Sequence, residues 1–235
     1  MNNVIPIMRK ELKTYFNSPI AYVVIGVFLL VSGWFVSTNL FLSGTADLRV
    51  FFQIAPLIFM FFAPAITMRL ISEEKKTGTI ELLVTMPIRD EEIIVGKWLA
   101  SLILLGTALL FTVPFIIFLV FLGNVDKGPL IGGYVGLLLM GGAYLSIGLL
   151  GSSLTENQVI AFIVGLAIAF LFWMFDKVLM YVPPVVGGVL QYLAIDFHFE
   201  NIGRGVIDSR NVIYYLSLIV VMLASSVAVL EGRKR

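Results

Sequence analysis

The chain has 235 residues, of which 59% are hydrophobic and 13% charged, with a formal net charge of +1. Soluble domains carry roughly a quarter charged residues, so this composition excludes a water-soluble protein, and no nucleic-acid partner is expected. With no cysteine and one histidine, His198, the chain offers no disulfide framework, no thiolate metal site and no multi-histidine metal or haem site of its own.

Residues 4–17, "VIPIMRKELKTYFN", read as an amphipathic helix. Val4, Met8, Leu12, Tyr15 and Phe16 recur at helical spacing, while Arg9, Lys10, Lys13 and Thr14 take the other face. Pro6 falls in the first turn, where its missing N–H costs little, and Ser18-Pro19 separates the helix from the first long apolar run. A basic helix of this kind lies in the membrane interface, as an anchor or as a surface for a partner.

About 20 consecutive apolar residues span a bilayer as a helix, and six runs qualify: 20–42, 50–71, 98–122, 131–152, 159–180 and 212–230. The whole chain, 1–235, therefore reads as one all-α, polytopic membrane domain. The first run is too long for a signal-peptide core and lacks a small-residue cleavage site, so it is expected to stay. Pro56 and Pro64 in the second run and Pro114 in the third predict kinks. With the N-terminus inside, eleven Lys and Arg fall on inner segments against five (Arg49, Lys127, Lys177, Arg204, Arg210) on outer ones. That asymmetry places both termini in the cytosol.

Residues 72–92, "SEEKKTGTIELLVTMPIRDEE", then form a cytosolic loop. Glu73, Glu74, Lys75 and Lys76 extend the second span. Thr77-Gly78-Thr79 breaks the helix, and a short helix comes next with Ile80, Leu83 and Val84 on one side and Glu81 elsewhere. Pro87 ends it, and Asp90, Glu91 and Glu92 supply a cap and an acidic first turn for the next helix. Two helical turns are not stable alone in water, so these apolar residues need the protein's own surface or a soluble partner.

Ala161, Gly165 and Ala169 line one helix face with small residues, as do Gly132 with Gly136 and Gly148 with Ser152. Such faces allow close packing within a subunit or between two. Thr155 and Gln158 fit a capping box for the fifth span. The outer segment 181–211 opens on two prolines and is too short to span, which predicts a re-entrant or interfacial piece. Within it Asp196, Glu200, Arg204 and Asp208 fall at i, i+4 spacing, with Phe199, Ile202 and Val206 on another side. This is an amphipathic helix, either a lid carrying His198, Glu200, Arg204 and Asp208 or a plug between helices.

No catalytic residue is expected. There is no G-x-S-x-G, and Gly96-Lys97 is followed by Trp98 and lacks the earlier glycine of a phosphate-binding loop.

The run "PAITMRLISEEKKTGTIELLVTMPIRDEEIIVGKWL" resembles the signature of ABC-2-type membrane subunits, E-x-x-x-G-T-x-E-x-L-x-x-x-P, on Glu74, Gly78, Thr79, Glu81, Leu83 and Pro87. "SLTENQVIAF" and "HFENIGRGVIDSRNVIYYLSL" are similar to the gliding-motility-associated permease subunit and its wider bacterial relatives. The resemblance implies a type V exporter-like fold with a connector helix bearing Arg9, Lys10 and Lys13. It also implies a coupling helix that docks on a separate cytosolic ABC ATPase, present in two copies, which binds the ATP and Mg that this chain does not. The contact would be Thr77, Gly78, Thr79, Ile80, Glu81, Leu82, Leu83, Val84 and Pro87, flanked by Glu73, Glu74, Lys75 and Lys76. Dimerisation through the first and fifth spans is implied too, with Ala161, Gly165 and Ala169 as the seam. The second membrane subunit would be identical or a related larger chain, with membrane lipid around both. The expected setting is a bacterial cytoplasmic membrane. The implied activity is ATP-driven export of an unknown substrate, or mechanical action on an extracytoplasmic protein without transport.

Overall fold

A chain segment in lipid has no water for its backbone groups, and a helix satisfies them internally. The computed structural model describes residues 3–43, 49–79, 88–122, 127–181, 183–206 and 208–232, and every regular element among them is helical. In order these are α1 (Val4–Asn17), α2 (Pro19–Ser43), α3 (Arg49–Thr67), α4 (Arg69–Lys76), α5 (Asp90–Leu110), α6 (Val113–Leu122), α7 (Lys127–Leu154), α8 (Gln158–Val178), α9 (Pro184–Leu193), α10 (Ile195–Gly203) and α11 (Ser209–Glu231). Six segments are long and apolar enough to cross a membrane: Pro19–Leu42, Val50–Lys76, Asp90–Phe118, Gly128–Leu154, Gln158–Val178 and Ser209–Glu231. They overlie the six apolar runs of the sequence. The second and third reach further into charged sequence, because the charges there are paired between helices.

The bends have identifiable causes. Pro56 and Pro64 both lie inside α3, and the break comes at Met68. There the Ser152 hydroxyl of α7 donates to the Met68 carbonyl at 2.8 Å and accepts from the N–H groups of Ile71 and Ser72, each at 3.1 Å. A side chain inserted into the helical ladder in this way opens it. Between α5 and α6 the chain turns at Phe111 and Thr112, because Pro114 has no N–H to continue the ladder of α5 and falls in the first turn of α6 instead. Thr112 eases that break by donating to the Leu109 carbonyl at 2.6 Å and sharing a hydrogen bond with the Tyr134 hydroxyl, also at 2.6 Å.

The central helix is α7, which packs against α3, α5, α8, α10 and α11. Tyr144, Leu145, Ile147 and Leu149 on it are fully buried. Its small residues make this possible. A Cβ on Gly151 would lie 2.8 Å from the Ala161 carbonyl oxygen and 2.7 Å from the Gly165 nitrogen. Ala161 and Gly165 of α8 are thus buried against α7, Gly165 also against Pro64 of α3, and Ala169 on the same face is buried within the chain. That corrects the expectation of a subunit seam: close backbone approach within the chain uses the whole face. The exposed side of α8 instead carries Ile160, Ile163, Phe170 and Met174. The cap of α8 also differs from expectation. Asn157 accepts from the N–H groups of Val159 and Ile160, and Thr155 accepts from Asn157 N–H.

At the other end of α7, Gly132 and Gly136 admit α10. A Cβ on Gly132 would come within 2.5 Å of the Ile202 carbonyl oxygen. The stretch carrying α10 therefore folds back among the spans, burying Ile195, Phe199 and Ile202. Two of its predicted lid residues need correcting. His198 is buried: its ring nitrogens reach Asn211 Oδ1 at 2.8 Å and the Tyr192 carbonyl at 2.9 Å, and it stacks on Tyr214. Asp208 is outside the amphipathic helix, which ends at Gly203, and it caps α11 by accepting from Arg210 N–H at 2.9 Å. Gly205, with φ of 89°, makes the turn between them in a conformation that suits glycine. Glu200 and Arg204 form an exposed ion pair.

Replacing Gly132 with Val should unseat α10 and destabilise the chain by about 1–3 kcal/mol, read as a lower Tm in detergent. An unchanged Tm would place α10 elsewhere. Asp196, in the first turn of α10, gives a second prediction. Burial pushes its carboxyl from 3.8 up to about 6 against the opposing pull of Lys177, while Asp176 and Glu200 push it higher. The folded state therefore holds this proton more tightly than the unfolded one, and that stabilisation is lost as pH rises through about 6. Asp196→Asn should flatten the Tm profile between about pH 4 and 6; an unaltered profile would mean that another group titrates.

Candidate functional site: a charged junction of three helices

Opposite α10, some 20 residues and hence about 30 Å along α7, the connector helix α1 lies against α4 and the start of α5. Its buried stripe is Ile7, Glu11 and Tyr15, at i, i+4 spacing. Gly96 of α5 permits the approach: a Cβ there would lie 2.9 Å from Ile7 and 3.0 Å from the Val4 carbonyl oxygen. Glu92 of α5 clasps the start of α1, accepting from Asn3 N–H at 3.1 Å and from Asn3 Nδ2 at 3.0 Å. It also accepts from Arg89 N–H at 3.3 Å, which makes Arg89, rather than Asp90, the N-cap position.

Beneath α1 lies Lys97, only 1% exposed. Its ammonium has three acceptors within 3 Å: Glu11 Oε1 of α1 at 2.9 Å, Glu74 Oε1 of α4 at 2.8 Å, and the Leu70 carbonyl of α4 at 2.8 Å. An ammonium has three donors, so this site can satisfy it completely. Lys10, on the rim, lies 3.3 Å from Glu74 and 3.5 Å from Glu11. Two cations and two carboxylates leave the group electrically neutral. Burial alone would lower the Lys10 ammonium, but Glu11 and Glu74 outweigh it and hold it above the usual lysine value. Two further bonds fix α1 and α4. Tyr15 donates from its hydroxyl to the Ile66 carbonyl at 2.9 Å, and Lys75 donates to the Ser153 carbonyl at the end of α7.

Three elements that the sequence separates thus share one salt-bridged core: the N-terminal helix, the helix entering the 77–87 loop, and the helix leaving it. Of the residues flanking that loop, Glu73 is exposed and lies 3.9 Å from Arg69, Lys76 is exposed, Lys75 is buried, and Glu74 belongs to the junction. Two of the four, Glu73 and Lys76, are therefore open to solvent, and α1 and α7 cover the other two. Thr77, Gly78 and Thr79 are exposed, with Gly78 at φ 71° turning the chain out of α4. Ile80, Glu81, Leu82, Leu83, Val84 and Pro87 lie outside the described residues. Arg9, Lys10 and Lys13 are exposed on α1, as their spacing predicts.

Sequence reasoning missed Glu11 and Lys97. Glu11 carried a signal: it interrupts an apolar stripe between Ile7 and Tyr15, and a carboxylate there needs a buried cation. Lys97 gave less, since its nearest charges in sequence are carboxylates that it does not contact.

The family model described as "ABC-2 family transporter protein" matches residues 5–233. No curated protein matches the chain.

Removing one partner of a buried ion pair costs about 3–5 kcal/mol because the other charge is left uncompensated. Lys97→Met should therefore lower stability by about that much, with a large drop in Tm in detergent, whereas Lys76→Met, at an exposed site, should change it little. Equal effects would show that the junction contributes nothing beyond surface charge.

Proposed function

Because this chain belongs to the ABC-2 family of transporter proteins, it is the membrane subunit of an ABC transporter, and we propose that it exports a substrate using ATP hydrolysed by a separate subunit. The observation that carries the reading is the junction: both stems of the 77–87 loop are tied to α1 through Lys97, Glu11 and Glu74. A force on that loop reaches α5 directly, and α3 and α7 through α4. The family supplies the partner, a cytosolic ATPase that binds ATP and Mg. Thr77 to Val84 is the docking segment in this reading, with Ile80, Leu82 and Leu83 in a groove of the ATPase and Glu81 paired to a basic group.

The junction moves as one body. Its charges are satisfied only when all three helices stay together, so the cheaper deformation lies toward the glycine-packed far end of the bundle. The centre of the bundle is filled by Phe51, Phe59, Leu104, Leu145 and Tyr215. A pathway therefore belongs between two membrane subunits, the second being identical or a related larger chain. The exposed faces of α2 and α8, with Trp34 on one and Ile163 and Phe170 on the other, are available for that contact or for lipid. In this reading the junction and both termini face the cytosol of a bacterial cell, which the excess of Lys and Arg on that side supports. Patches 153–162 and 198–218 favour the gliding-motility-associated subgroup.

One feature favours a second reading, in which the same motion acts on an extracytoplasmic protein without transport. The outer end is occupied by α10, wedged against α7 rather than poised above it.

Leu83→Asp should abolish recovery of an ATPase subunit from native membranes in mild detergent and uncouple its activity, while the Tm of the isolated chain stays unchanged. Normal co-purification and coupled activity of that variant would remove the docking segment from this account.

A further inference from the structure

We propose that the outward face of α1 is a binding site for the phosphate headgroup of an anionic phospholipid. The proposal goes beyond ATP coupling and rests only on the bundle crossing a membrane.

A basic amphipathic helix at a membrane ordinarily buries its apolar face in lipid. Here that face is covered chiefly by α5, with α2 beside it, and Ile7 and Tyr15 are buried in protein. What α1 presents outward is cationic. Arg9 and Lys13, one helical turn apart, are exposed and have no acidic partner among the described residues. With Lys10, Thr14, Asn17 and Ser18 they line an open groove of about 650 Å³. Its far end is Ser18, next to Pro19, where the first membrane-crossing segment begins. Just beyond, Tyr22 and Val23 are exposed on α2.

This sequence of surfaces matches a phospholipid from head to tail. The groove lies where the first span leaves the bilayer, at headgroup level. A guanidinium offers paired N–H donors to two phosphate oxygens and an ammonium adds a point charge. The acyl chains continue along Tyr22 and Val23. A zwitterionic headgroup brings its own cation towards Arg9, Lys10 and Lys13, which disfavours it. An acidic protein surface would satisfy the same charges, but it would not use the apolar wall that continues the groove.

The test is native mass spectrometry of the full chain, purified in detergent and stripped of lipid, titrated with dioleoyl phosphatidylglycerol or dioleoyl phosphatidylcholine. The anionic lipid should bind more tightly, and Arg9→Gln with Lys13→Gln should weaken it about thirtyfold, at the usual contribution of each basic residue near an anionic surface. Phosphatidylcholine binding should not respond. Equal affinity of the double variant for phosphatidylglycerol, or equal affinity of the unaltered chain for both lipids, would overturn the proposal. So would complete displacement by inorganic phosphate, which would mark a free-anion site. Retained lipid with loss of a co-purifying ATPase would assign the face to a protein instead. Leu83→Asp should leave lipid binding unaltered, so failure here and failure of the coupling account are separable.

Discussion

A lysine ammonium buried at the end of an apolar bundle constrains everything around it. Lys97 cannot leave water unless its donors and its charge are met, since a buried unpaired charge costs several kcal/mol. No carboxylate on α5 contacts it; those come from α1, 86 residues away in sequence, and from α4. Satisfying one side chain thus fixes where the N-terminal helix lies, how far α4 continues past α3, and which face of α5 is covered. A tightly packed apolar trio of similar volume could hold the three helices as well, whereas the ion pairs also require Glu11, Glu74 and Lys97 to face one another.

The two ends of α7 show different physics. At the junction end, polar groups are paired between helices, and Ser152 fills the gap opened in the α3–α4 ladder. At the far end, packing depends on the absence of side chains, with Gly132 and Gly136 letting the backbone of α10 sit against α7. Close-packed faces of this kind slide or separate without leaving charges stranded, whereas the junction does not. Relative movement between the ends is accordingly easier than movement within the junction.

The six spans, the connector helix and the short helices before the last span were legible because each depends on a local pattern of apolar length, periodicity or proline. The misread positions depend on neighbours distant in sequence. Ala161, Gly165 and Ala169 read equally well as a subunit seam or an internal one, and only Gly148 and Gly151 opposite them decide it. His198 looked like a surface residue on a polar segment, but Asn211 and the Tyr192 carbonyl satisfy both of its nitrogens inside the fold. In the junction, the charge of Glu11 was visible and its partner was not. Helical periodicity assigns a side to each residue, but it cannot say which other helix meets that side.

The central claim, that α1 and α4 travel together when the ATPase acts, is open to direct distance measurement because the chain has no cysteine to mask. Spin labels at Thr14→Cys and Lys76→Cys, both exposed positions, report across the junction, and Thr14→Cys with Glu200→Cys reports along the bundle. In the complex with its ATPase subunit, nucleotide binding should leave the first distance distribution unchanged and shift the second. A shift across the junction would contradict the account, because Lys97 would then have to surrender one of its two carboxylates in every cycle.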